Sequence, residues 1–265
     1  MKLFAVAAAA LALATPASFL EGRQGADGGF AEPGGAATPG LTAWAAIGLA
    51  STGAATGKAH EFLVAHESQL DAATDVELAV VGEAVTGGAS PALLGRLEVL
   101  VQPSGRIGPA LNSTIWGILA LRQAGRPVPA GSVRYLTARQ ARSGGFAWIE
   151  GGAPDSNTTA AAVEALGPGP SATRALRYLR GLQGRDGGFA LSPGRDSDSQ
   201  STAWAVQAYL AAGQPAPAAA LAYLARMRRP DGSYSYSSRY ATTPVWVTAQ
   251  VLPAVARKPL PLTMG

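Results

Sequence analysis

The sequence predicts an all-α fold, an α/α toroid in which about six outer–inner helix hairpins close into a ring. Three observations predict it. A phrase recurs as FLEGRQGADGGF (19–30), YLTARQARSGGF (135–146) and YLRGLQGRDGGF (178–189). A second, apolar phrase follows each copy. The first phrase is patterned for a half-exposed helix and the second for a helix buried on every side. Self-similarity of this kind marks a repeat architecture built from one supersecondary unit.

Along the chain, an aromatic-Leu pair opens each unit: Phe19-Leu20, Phe62-Leu63, Tyr135-Leu136, Tyr178-Leu179 and Tyr223-Leu224, with a weaker copy in RLEVLVQPSGRIG. A glycine turn follows in five units, as DGGF (27–30), SGRI (104–107), SGGF (143–146), DGGF (186–189) and DGSY (231–234); the second unit lacks it. The apolar phrases are LTAWAAIGLASTG (41–53), ATDVELAVVGEAVTG (73–87), STIWGILALRQAG (113–125), TTAAAVEALGPG (158–169), STAWAVQAYLAAG (201–213) and TPVWVTAQVLPAV (243–255). The Ser or Thr near their starts is expected to cap each inner helix, and the Gly that ends five of them suits the position after the last turn. In ATRALRYLRGLQGR (172–185) the apolar residues Ala175, Leu176, Leu179 and Leu182 share one face, and Arg174, Arg177 and Arg180 point elsewhere. Six such hairpins can close into a ring or stack as an open solenoid; the all-round apolar inner helix argues for closure.

Gln24, Gln140 and Gln183 stand four residues before a turn glycine, where an amide can satisfy carbonyls left open at a helix end; Arg228 fills that place in the sixth unit. The glycine supplies a positive φ, and the following Phe is expected to plug the groove between hairpins.

MKLFAVAAAALALATPAS has one Lys, an apolar run and then small residues, the layout of a secretory signal peptide. The expected division is a signal at 1–17, one toroid domain at 18–257 and a C-terminal tail at 258–265. Cleavage fits after Ala14 or after Ala17. A first core helix is the other reading of this run. No later run is long enough to span a membrane, so a secreted protein of bacterial origin is expected; basic residues other than Lys2, Lys58 and Lys258 are all Arg. The formal charge is +4 with no basic cluster, which argues against nucleic acid. With no Cys and only His60 and His66, disulfides, thiolate nucleophiles and thioesters are excluded, and neither a metal site nor a cofactor is expected.

The pattern aromatic-Leu-x3-Gln-x3-Gly-x-aromatic resembles the prenyltransferase/squalene-oxidase repeat, the QW-type motif of triterpene cyclases and protein prenyltransferases, over nearly the whole chain after the leader. The resemblance implies an α/α toroid with a cavity at one end. It does not carry the family's chemistry. The cyclase motif DxDD-Thr-Ala aligns with Asp198, Ser199, Gln200, Ser201, Thr202 and Ala203, so the acid position holds Gln200. The prenyltransferase zinc ligands are missing too, since the His position is Ser201 and no Cys exists.

Candidate site residues follow from the inner phrases. Trp44, Trp116, Trp204 and Trp246 share one position, with Val76 and Ala161 there in the other units; one turn on lie Glu164 and Gln207. If that face meets the axis, the result is an aromatic cup with two polar groups, suited to an isoprenoid or other apolar ligand. Otherwise the Trp are wedges between helices. Glu164 either acts as an acid or ligand contact, or is paired with a neighbour such as Gln207. Asp155 and Asp198 occupy equivalent places and serve either acid–base work or helix capping. The sequence therefore favours a non-catalytic ligand- or partner-binding toroid. A divergent cyclase- or prenyltransferase-like enzyme with an acid at Asp198, Glu164 or Asp155, and a cell-envelope scaffold for protein or glycan, are the alternatives.

Overall fold

The computed structural model describes residues 14–263. The apolar run expected as a signal lies outside these residues except for its last few positions. Among the described residues are twelve α-helices, alternating outer and inner. The outer set is α1 (Pro16–Glu21), α3 (Ala59–Ala65), α5 (Pro91–Val99), α7 (Ala130–Ala138), α9 (Pro170–Arg180) and α11 (Ala218–Met227). The inner set is α2 (Pro39–Thr52), α4 (Ala73–Thr86), α6 (Leu111–Gln123), α8 (Ser156–Leu166), α10 (Ser199–Ala211) and α12 (Pro244–Val255). Inner helices pack side by side in chain order, and α12 packs against α2 to close the ring. At that seam a Cβ on Gly48 would lie 2.8 Å from the Ala249 carbonyl oxygen, so only glycine fits.

The sequence-predicted inner caps are displaced. Helix α2 starts at Pro39 under a Thr38 cap, α8 at Ser156 under Asp155, and α10 at Ser199 under Asp198. Thr42, Thr114, Thr159 and Thr202 each lie one turn inside their helix, fully buried, and do something else. Their hydroxyls accept the backbone N–H of Phe30, Ile107, Phe146 and Phe189 at 2.8–3.0 Å, and Thr248 does the same for Tyr234 at 2.9 Å. These aromatic and aliphatic plugs are sunk into the core, where an unpaired N–H would be costly. Two short antiparallel hairpins add a little sheet to the expected all-α fold. Strand β1 (Phe146–Ala147) pairs with β2 (Pro154–Asp155), and β3 (Phe189–Ala190) with β4 (Ser197–Asp198). Each sets an Asp opposite a plug Phe, at the start of an inner helix.

The glutamine-glycine turn joins neighbouring units. Gln24 Nε2 donates to the carbonyls of Gly28 (2.9 Å) and Thr56 (3.0 Å), and Gln140 Nε2 to those of Gly144 (2.7 Å) and Ser171 (2.9 Å). In both, the second carbonyl belongs to the chain entering the next outer helix. Gly28, Gly105, Gly144, Gly187 and Gly232 all have φ between 87° and 93°. A Cβ on them would strike the carbonyls of Lys58, Gly131, Arg174, Ala219 and Thr15 at 2.3–2.6 Å. Four of these open the next outer helix; the fifth, Thr15, caps α1 and closes the outer ring. The sixth turn therefore docks on the first helix. Helix α1 begins at Pro16, inside the segment expected to be removed as leader.

Residues past α12, expected only as a tail, fold back over the ring. Leu260 and Leu262 are buried. The Leu260 N–H donates to Glu164 Oε2 at 2.7 Å, and Gln123 pairs with both backbone groups of Leu262 at 2.6 and 3.1 Å. Glu164 thus pairs with backbone rather than with Gln207. Its other oxygen has no partner among the described residues, and burial pushes its carboxyl well up from the ordinary Glu value. Two further inner carboxyls, Glu77 and Glu83 of α4, escaped the sequence reading. Burial raises Glu77 well above its usual range, and Glu83, which accepts the Ser90 N–H at 2.9 Å, is pushed up to about 7.

Two outcomes follow from this packing. Thr202→Val leaves the Phe189 N–H unpaired and is expected to cost roughly 1–3 kcal/mol in urea unfolding, most of it recovered in Thr202→Ser. The carboxyls of Glu77, Glu83 and Glu164 hold protons in the folded chain that they lose when unfolded. Between the ordinary Glu range and their raised values the folded state therefore binds more protons, and stability falls as pH rises. Thermal melts are expected to show a lower midpoint at pH 8 than at pH 6, with a shallower dependence in Glu164→Gln.

Candidate functional site

The inner helices run parallel, and their first turns surround a cup at one end of the axis. Its floor comes from one position per helix. The sixth residues of α2, α4, α6, α8 and α10 are Trp44, Leu78, Trp116, Ala161 and Trp204. In α12, where Thr248 sits one residue later in its helix than Thr202 does in α10, the equivalent is Gln250. All six line the cup. Trp44, Trp116 and Trp204 form a triangle with ring centroids 5.4, 5.8 and 5.9 Å apart and planes at 85–90°. These are edge-to-face contacts, the favourable geometry for stacked quadrupoles. Wide and narrow residues alternate around the ring, so three indoles close the axis without colliding.

Two expected floor residues fall elsewhere. Val76 is buried two residues before the floor position, and Leu78 takes its place. Trp246 lies a turn nearer the mouth, leaning on Trp44 at 6.0 Å, while Gln250 fills the floor position. The hydroxyl that receives the plug N–H sets the register, and in α12 that hydroxyl is Thr248 and not Thr243.

Above the floor is a polar belt. Thr74, Asn112, Asn157 and Gln200, each the second residue of its helix, line the wall with Trp246. Gln200 Nε2 donates to Gln250 Oε1 at 2.8 Å, and Trp204 Nε1 donates to the same oxygen at 2.9 Å. The buried Gln250 Nε2 has no partner among the described residues. Asn112 is 2% exposed, and its side chain makes no hydrogen bond among the described residues; its backbone N–H donates to the Trp148 carbonyl at 3.0 Å. Asp75, Trp148, Asp155, Thr158 and Leu191 complete the lining, which encloses about 450 Å³ and is predominantly apolar. That volume lies within the usual range for small-molecule pockets. All five Trp of the chain face this one cavity. No Lys, Arg or His does.

The structure brings together Trp44, Trp116, Trp204, Trp246 and Asp155, and leaves out Glu164, Gln207 and Asp198. Glu164 and Gln207 lie one turn beyond the floor, on its far side from the mouth. Gln207 reaches the carbonyls of Ala203 and Gln250 at 3.4 and 3.5 Å. Asp198 caps α10, taking the Ser201 N–H at 2.7 Å and the Ser201 hydroxyl at 2.8 Å, and lines a separate cleft beside Arg195 and Tyr236. Asp155 caps α8 in the same way through Thr158, with both contacts at 2.8 Å. Burial raises both carboxyls, and the hydrogen bonds they accept oppose the rise. Gln200 does reach the cup, so the position that the family resemblance assigns to the acid faces the ligand space and carries an amide. Asp75 was not singled out from sequence, although its place two residues after the start of α4 carried the signal. Among the described residues no group of three or more His, Asp or Glu is placed to hold a metal.

No protein-family model matches the chain, and no curated protein does. Solved structures do. A variant of the type II terpene cyclase MstE from Scytonema, in complex with geranylgeranyl dihydroxybenzoate, is 17% identical, with 91% of this chain and 95% of that one covered and a TM-score of 0.68. The ent-copalyl diphosphate synthase from Streptomyces platensis is 17% identical, with 83% and 50% covered and a TM-score of 0.59, so this chain spans half its length. A glycosidase variant in complex with glucose is 14% identical, with 91% and 94% covered and a TM-score of 0.65. The ring of hairpins read from the repeats is thus the terpenoid cyclase-like α/α toroid, a fold that these neighbours show in the service of more than one chemistry.

Proposed function

We propose that this chain is an exported toroid that holds an apolar, isoprenoid-like ligand in the tryptophan cup and does not cyclise it. The cup itself carries the reading: about 450 Å³ of mostly apolar space over three interlocked indoles, with Gln200 at the cyclase acid position. An amide cannot deliver the strong acid that protonation of an alkene requires. The toroid neighbours lend support, since the MstE variant is described with a geranylgeranyl ligand.

A second reading rests on Asp155. It is the carboxyl singled out from sequence that lines the cup, and burial raises its pKa against the hydrogen bonds it accepts from Thr158. If the toroid is an enzyme, Asp155 is its acid, and Asp155→Asn abolishes turnover while the amide preserves the α8 cap.

The test of the first reading is native mass spectrometry of protein purified from its own host. A co-purifying isoprenoid is expected, lost in Trp204→Ala. Protein with no bound small molecule, together with no uptake of added isoprenoids, rejects it. Export is supported by the sequence before Thr15 and by the architecture after it. Thr15 accepts the Ser18 N–H at 3.0 Å, and the Thr15 N–H donates to Ser18 Oγ at 2.9 Å, a reciprocal cap on α1. Cleavage after Ala14 keeps this cap, whereas cleavage after Ala17 destroys it. N-terminal sequencing of the exported protein is therefore expected to begin at Thr15.

A further inference from the structure

The proposed ligand space has a polarity that names the head group of what it holds. Anions are disfavoured on three counts. No Lys, Arg or His lines the cup, and two carboxylates, Asp75 and Asp155, do. The six inner N-termini would attract an anion through their dipoles, but most are already served. Glu32 takes the Val245 and Trp246 N–H groups of α12 at 3.0 and 2.8 Å. Asp155, Asp198 and Thr38 accept at α8, α10 and α2, and Asp75 stands in the first turn of α4. At α6 the Trp148 carbonyl takes the Asn112 N–H.

Cations are not specifically sought either. The Asp155 carboxylate spends both oxygens on Thr158, and its charge is offset by the helix end it caps. Asp75 is exposed and takes the Ala72 N–H of its own helix start at 3.4 Å, so solvent and the α4 end meet its charge. What the cup leaves buried and unsatisfied is neutral. The Asn112 amide is almost fully buried, lines the cavity and has no side-chain partner among the described residues. Gln200 gives its Nε2 to Gln250, and its Oε1 accepts from no protein group. A buried amide without a partner costs free energy that a hydroxyl or carbonyl oxygen recovers. A hydroxyl matches the belt best, because it accepts from Asn112 Nδ2 or donates to an amide oxygen.

We infer that the cup takes an uncharged, oxygen-headed terpenoid, an alcohol before a ketone, with its hydrocarbon on the indoles and its oxygen at the Asn112 amide. Diphosphates and other charged-head isoprenoids are excluded. The inference rests on the cup being a ligand site. It makes the protein a holder of material after loss of a diphosphate, which a hydrolytic or lyase step must supply.

The experiment titrates the full chain, followed by tryptophan fluorescence, with geraniol, geranyl diphosphate, geranyltrimethylammonium and myrcene. Geraniol is expected to bind about tenfold or more tighter than each of the others, the effect of one net hydrogen bond. In Asn112→Leu, folded by circular dichroism, geraniol is expected to fall to the affinity of myrcene, and myrcene to be unchanged or tighter. Asn112→Ala is the second variant should Leu not fit. Tightest binding of the diphosphate or the ammonium overturns the inference while leaving the cup a ligand site. Equal binding of myrcene and geraniol, or no effect of either Asn112 variant, does the same. Failure of all four probes rejects both the head-group inference and the cup reading beneath it.

Discussion

The architecture depends on the contact between each turn glycine and the backbone that opens the following outer helix. With φ near 90° and no side chain, the glycine lets one unit's turn lie directly on the next unit's chain. The glutamine amide bridges the same two segments, and the plug residue drops into the core under a threonine hydroxyl. Each hairpin is thus located by its neighbour, and its own outer–inner packing is secondary. Gly232 meets Thr15 in the same way, so these contacts carry across the seam between the last unit and the first; the step from the second unit to the third, where the turn glycine is missing, has none. Everything at the axis follows from this register: parallel inner helices, their first turns gathered at one end, and one floor position per helix.

Much of this was legible because the repeat writes the same physics several times. The glycine with positive φ, the buried aromatic and the apolar inner helix each leave a composition signature. The glutamine was legible only in part: its spacing pointed to the turn, but its second acceptor, the carbonyl of Thr56 or Ser171, belongs to another unit. The threonines misled in an instructive way. Thr and Ser near a helix start suggest caps, yet here the hydroxyl one turn inside receives a plug N–H, and the caps are Thr38, Asp155 and Asp198.

The site was harder to read. Four Trp at nearly one position announced an aromatic cup, but the assignment of Val76 and Trp246 to the floor failed by two residues and by one turn. In α4 and α12 the threonine that fixes register is absent or displaced, and only the three-dimensional superposition of helix starts puts Leu78 and Gln250 in place. Glu164 and Gln207 shared the right face at the wrong depth. A helical wheel gives direction, not height, and the three indoles close the axis between these residues and the mouth. Asp75 and Asn112 were not read as cup residues because polar residues in a first helical turn are commonplace. Their meaning comes from burial and from what surrounds them.

The backfolded C-terminal segment bears on how such a vessel is emptied. Leu260 and Leu262 stop the axis at the end opposite the mouth, and the indole triangle stops it again in the middle. Among the described residues the toroid is a blind well, with no passage through it. On the proposed ligand-binding reading, cargo enters and leaves by a single opening, so loading and unloading compete for the same gate, and the exposed Trp148 beside that opening stands where a donor or acceptor surface would have to meet it.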